Sequence, residues 1–140
     1  MPQGRHDPGS PTHALFDAFA AGALAQFLDG CRDDLVLTVR GSGPLCTLVA
    51  KAEIASWYRS MQSLAGSFRS EVGLVLTEDH TQVVLMRHWL ARGSVPRQYE
   101  TVNRCTFRDG ALASWFSYPV RADEYARAWG LHHGLERASA

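Results

Sequence analysis

From Tyr99 to Phe107 the chain alternates with a period of two, so Tyr99, Thr101, Asn103, Cys105 and Phe107 share one face of a strand. Glu100, Val102, Arg104 and Thr106 share the other. Asp109-Gly110 supplies the dihedrals of a tight hairpin turn, and an aromatic-rich strand resumes from Leu112 to Tyr118. An asparagine on an otherwise apolar face needs a partner, which can be a core neighbour, a water or a ligand.

The same patterning organises the rest of the chain. Ser10-Pro11 reads as a helix cap followed by a first-turn proline, and apolar positions from Leu15 to Leu28 recur at helical spacing. Gly22 weakens the middle of that run and Gly30 ends it. Asp33-Asp34 opens a short strand, Leu35 to Val39, closed by a turn at Gly41 to Pro44. A second amphipathic helix is predicted from about Ala50 to Leu64, with Ile54, Trp57, Tyr58, Met61 and Leu64 as its apolar face. Extended segments follow at about Phe68 to Thr77, Thr81 to Arg92, Arg97 to Arg108 and Ala111 to Tyr118, joined by short links that make them antiparallel neighbours. A last helix runs from Ala122 to about Trp129. The expected fold class is α+β, with helices covering one face of a curved antiparallel sheet.

With 140 residues, 46% of them hydrophobic, the chain can build one core. The expected layout is a disordered leader over 1–12, a domain over 13–130 and a tail over 131–140. Basic and acidic residues balance at 14 each, which gives no electrostatic ground for nucleic acid or an anionic membrane surface as partner. Three cysteines, Cys31, Cys46 and Cys105, lack any close-spaced pair, which argues against a disulfide framework and a zinc site and for a reducing, cytoplasmic setting. No apolar run reaches the roughly 18 residues of a membrane span.

Three strings, AFAAGALAQFLDGCRDDLVL, TVRGSGPL and FRDGALASWFSY, resemble in order and spacing the SnoaL-like branch of the nuclear transport factor two-like superfamily. This is the cone-shaped fold of ketosteroid isomerase and scytalone dehydratase. The chain departs from the family pattern at Ala23, where an acidic residue is usual, and at Thr47 and Ala50, where glycines are usual. Where ketosteroid isomerases place an aspartate base, this chain has Val39 and Arg40. The resemblance places Asn103 near the isomerases' second carboxyl, an oxyanion donor; an amide can donate there but cannot titrate.

Symmetric closure of the Gly93 to Pro96 loop sets His88 opposite Thr101 and Met86 opposite Asn103. The Asp109-Gly110 turn sets Phe116 opposite Asn103, and a bulge in the last strand would bring Trp115 inward instead. The inward set then contains Met86, His88, Tyr99, Thr101, Asn103, Cys105, Phe116 and Tyr118. His88 is the candidate base, because histidine titrates near neutrality, and Asn103 the candidate donor to an oxyanion. Each has a structural alternative: a satisfied core histidine, and an amide serving backbone groups at a bulge. Met86, Tyr99, Thr101, Cys105, Phe116, Tyr118 and Trp115 are candidate ligand-binding residues. Asp33 and Asp34 read as a strand cap. The opposite face, with Arg87, Trp89, Glu100, Arg104 and, without a bulge, Trp115, is either a solvent surface or a sheet-to-sheet homodimer interface.

Two functions follow from these readings. One is a small-molecule-binding protein performing isomerisation, cyclisation, dehydration or hydrolysis on an apolar, polyketide- or terpenoid-like substrate, with no cofactor and no metal. The other is a ligand-binding or dimerisation module without chemistry.

Overall fold

The computed structural model describes residues 5–6, 10–41, 47–91 and 96–130. Helix α1 (Pro11–Ala20) starts where Ser10 accepts the His13 N–H at 3.0 Å, with proline at the first helical position. The apolar run does not continue as one helix. Gly22, at φ +78°, closes α1 in a Schellman arrangement in which the Gly22 N–H donates to Phe19 O and the Ala23 N–H to Ala18 O. A separate helix α2 (Leu24–Asp29) then packs Phe27 into the core. The glycine therefore breaks the helix rather than merely weakening it. The backbone of strand β1 (Arg5–His6) pairs with Thr77 and Leu76 inside the stretch expected as a disordered leader. The tail expected over 131–140 lies outside the described residues.

Strand β2 (Cys31–Val39) is longer than expected, and β3 (Leu48–Ala50) forms a hairpin with it. A single 3-10 turn, Lys51–Glu53, leads into α3 (Ile54–Ala65), so the second helix starts later than its apolar periodicity suggested. On α3, Ile54, Met61 and Ala65 are buried while Leu64 is exposed. Four long strands follow, β4 (Phe68–Glu78), β5 (Thr81–Leu90), β6 (Arg97–Arg108) and β7 (Ala111–Pro119), and then α4 (Ala122–Ala128).

The α+β architecture and the meander are as expected. The strands lie in one sheet in the order β1-β4-β5-β6-β7-β2-β3, with β2 and β7 parallel and every other pair antiparallel. The curved sheet wraps the helices. Its larger core joins Phe16 and Phe19 of α1, Phe27 of α2, Leu35 and Leu37 of β2 and Trp115 of β7. A second cluster closes the other end, where Tyr125 of α4 and Trp129 meet Phe68, Leu90 and Tyr99.

Two registers differ from expectation. Leu90, not the residue after Ala91, pairs with Arg97, so His88 lies opposite Tyr99, Met86 opposite Thr101 and Val84 opposite Asn103. The shift is two residues, which leaves every side chain of β5 on its expected face. On β7, Arg108 pairs with Ala111 and Phe107 with Leu112, but Thr106 pairs with Ser114, leaving Ala113 as an extra residue. This bulge reverses the faces expected for Trp115, Phe116 and Ser117. Asn103 therefore faces Ser117, and Phe116 lies opposite Arg104 on the outer face, 38% exposed.

Candidate functional site

At the end of the cone between β2, α3 and α4 lies a cavity whose wall is mostly aromatic. Phe19, Trp57, Phe68, Tyr99, Trp115 and Tyr125 contribute rings, and Met61 and Met86 contribute thioethers. The positions open to the centre of a water molecule occupy about 40 Å³. That is room for a few waters or a compact ligand group, on the scale of about 10–15 Å³ per water.

One wall is polar, and its groups are joined in a line. His88 Nδ1 lies 2.7 Å from Ser70 Oγ, and His88 Nε2 lies 2.8 Å from Thr101 Oγ1. Asn103 Nδ2 donates to Thr101 Oγ1 at 2.9 Å and to Val84 O at 3.1 Å. Trp115 Nε1 completes the line by donating to Asn103 Oδ1 at 2.8 Å. The strands explain why these groups meet: with β5 and β6 in register, His88 and Thr101 are diagonal neighbours on one face, and Ser70 is directly paired with His88. Thr101 Oγ1 already accepts from Asn103. Its own proton is used if it donates to His88 Nε2, which assigns the ring proton to Nδ1 and directs it at Ser70.

The imidazole lies between Phe68 and Tyr99, with ring centroids 5.4 and 4.9 Å away. Burial without a charged partner pushes the His88 pKa down to about 3, so the ring is neutral near pH 7. Burial likewise pushes the Tyr99 phenol up, out of reach of neutral pH. Asn103 is 1% exposed and both its N–H groups are engaged, so in this state the amide fulfils its structural alternative.

Among the sequence candidates, Met86, His88, Tyr99, Thr101, Asn103, Trp115 and Tyr118 line the cavity. Cys105 and Phe116 do not. Cys105 is fully buried behind the wall, its thiol directed at Asn103 O at 3.7 Å and its pKa raised by burial. Phe116 was turned outward by the bulge. Trp115 instead enters the core, edge-on to Phe16 and Phe19 at 5.1 and 5.0 Å. Asp33 and Asp34 sit on the surface, in ion pairs with Lys51, Arg32 and Arg108.

Three groups of the site escaped the sequence reading. Ser70 alternates with Phe68 and Val72, and that period places it on the inner face. Arg40 drew attention only as the absence of a base, yet it lines the cavity. Trp57 has its indole N–H buried without a partner among the described residues. The orphan follows from how the rings pack in three dimensions, for which the sequence carries no signal. Among the described residues no cluster of histidine, cysteine and carboxylate side chains could hold a metal ion, and no helix is long and apolar enough to cross a membrane.

Many solved structures share the fold. Bal32a, from a soil-derived mobile gene cassette, is 12% identical with a TM-score of 0.75, over 84% of this chain and 92% of that one. TerC, co-crystallised with polyporic acid, is 15% identical with a TM-score of 0.72, over 84% and 93% of the two chains. IdmH, a putative polyketide cyclase from Streptomyces antibioticus, is 14% identical with a TM-score of 0.68, over 87% and 98%. No protein of curated function matches the chain by sequence. The model of the SnoaL-like domain matches residues 12–115, most of the chain, and the chain therefore belongs to the SnoaL-like family.

Proposed function

We propose that this protein binds a small, mainly apolar molecule inside the cone. The observation that carries this reading is the pairing of an aromatic cavity with a polar wall whose geometry is fixed by hydrogen bonds, the usual composition of a ligand site. The neighbours support it in kind, since TerC was crystallised with polyporic acid and IdmH is described as a putative polyketide cyclase. The room inside favours a compact ligand portion over a polycyclic body.

Native mass spectrometry of the full chain from its own host tests this. A co-purifying small molecule released by Trp57→Ala supports the reading, and an empty protein that also fails to take up any member of an apolar ligand panel overturns it.

A second reading adds cofactor-free chemistry, and one observation favours it: Thr101 lines the cavity and its hydroxyl lies 2.8 Å from an imidazole nitrogen. In that reading Thr101 meets the ligand and His88 takes its proton, while the Asn103 amide turns from Thr101 to a developing oxyanion. The proton taken at Nε2 makes an imidazolium that burial opposes, so His88 must return that proton to the product within the same cycle, which leaves Thr101 and His88 in their starting states. His88→Gln and Thr101→Val separate the two readings. An enzyme loses turnover while the ligand stays bound, and a binder shows no turnover to lose.

The outer face of the sheet carries the exposed Phe116, which supports a homodimer formed there. Phe116→Arg is expected to convert the dimer to a monomer in analytical ultracentrifugation.

A further inference from the structure

We propose that the cone selects a small aromatic anion and that Arg40 reads its charge. This rests on the reading that the cavity is a ligand site, and it goes further by naming the ligand's class. Arg40 directly follows β2, and its backbone N–H donates to Ser117 O at 2.8 Å, so the pairing that builds the wall also fixes where this side chain begins. The next residue, Gly41, has φ +123°, and a Cβ there would meet the Tyr125 ring at 3.1 Å. The chain can therefore pass under α4 at this point, which places Arg40 at the cavity mouth beside Tyr125.

The charge balance of the lining is one-sided. Among the described residues Arg40 is its only ionic side chain at neutral pH, because they contribute no carboxylate or lysine to the lining and His88 is neutral. No described carboxylate pairs with Arg40, so nothing among the described residues neutralises its charge at the lining. The guanidinium of a residue that lines an apolar cavity offers a planar set of donors suited to a carboxylate.

A second donor is also unsatisfied. The Trp57 indole N–H is buried without a partner, and an indole nitrogen can only donate. Both groups call for an acceptor-rich ligand. An aromatic cage of this kind would otherwise suit a cation, and Arg40 opposes that choice by repulsion. A flat unsaturated ring bearing a carboxylate satisfies all three features: rings for its faces, Arg40 for its charge and Trp57 for an oxygen.

The test compares cinnamate, its neutral near-isostere cinnamamide, and benzyltrimethylammonium, titrated against the full chain by ligand-observed NMR at low salt. The wild type is expected to bind cinnamate about tenfold more tightly than cinnamamide, as one charge-assisted contact predicts. Arg40→Gln is expected to abolish that preference and Arg40→Lys to keep part of it. Trp57→Phe is expected to weaken cinnamate and thereby place the probe in the cone. Equal binding of cinnamate and cinnamamide, a preference that survives Arg40→Gln, or a preference for the ammonium overturns the anion inference and leaves the ligand-site reading standing. Failure of all three probes to bind the wild type overturns both. Arg40 is exposed, so thermal unfolding of Arg40→Gln serves as the control for an intact fold.

Discussion

Along β5 and β6, His88, Thr101 and Asn103 alternate with Arg87, Glu100 and Arg104, so neighbours in sequence stand on opposite faces of one sheet. The inner groups are buried and linked from Ser70 to Trp115 by bonds of 2.7 to 2.9 Å. Their outer neighbours are looser: Arg87 and Glu100 meet at 3.4 Å with both side chains about half exposed, and Arg69 lies over the Trp89 ring at 3.9 Å. A polar contact is worth little where water competes for it, and much where losing it strands a partner that water cannot reach. The inner face of the sheet should therefore control stability and ligand geometry, and the outer face should tolerate change.

The largest effect is expected at Asn103. Replacing it with alanine strands the Trp115 N–H, removes a donor from both Thr101 and Val84, and opens a gap in a fully buried wall. Urea unfolding of Asn103→Ala should show a loss of about 3 kcal/mol, with a fall in melting temperature of roughly 10 °C. A loss below about 1 kcal/mol would mean that the inner line is not a stability element and would break the contrast between the faces.

The next effect is a pH dependence. Burial holds the native pKa of His88 near 3, against 6.5 for a histidine in water. Between these values the unfolded chain binds a proton that the native chain refuses, so stability rises with pH. The contribution is complete above about pH 6.5 and is lost progressively as pH falls toward 3. Lowering the pH from 7.5 to 5 should cost about 2 kcal/mol on this account alone. His88→Gln should flatten that part of the stability profile; an unchanged slope would place the protonation elsewhere.

Much of this contrast was legible beforehand, because alternation depends on sequence alone. The period-two pattern put Thr101 and Asn103 on one face, and the length of the strands made the meander readable. What escaped was local backbone geometry. Nothing in ALASWF marks Ala113 as an extra residue, yet that bulge decides that Trp115 enters the core and Phe116 leaves it. The register of β6 against β5 escaped as well: it lies two residues from the symmetric choice, which puts Tyr99 and not Thr101 opposite His88. Gly22 was visible as a weak point, but only its positive φ shows that the chain reverses there. Arg40 and Ser70 gain their meaning from residues distant in sequence, and no single-sequence pattern joins them.

The smallest effect is expected on the outer face, and it sharpens the comparison because it tests the same two strands. Arg87→Ala removes an ion pair that is half exposed on both sides and next to solvent. Its cost in a chemical unfolding experiment should stay within about 0.5 kcal/mol and should shrink further in high salt. Arg87 and His88 are adjacent in the chain, so backbone context, strand length and neighbouring turns are shared between the two tests. A large loss at Arg87 would show that its face is covered by something that excludes water, and the homodimer proposed for that face is the first candidate. A small loss, set against the acid sensitivity arising one residue away, would locate the difference in side-chain direction alone.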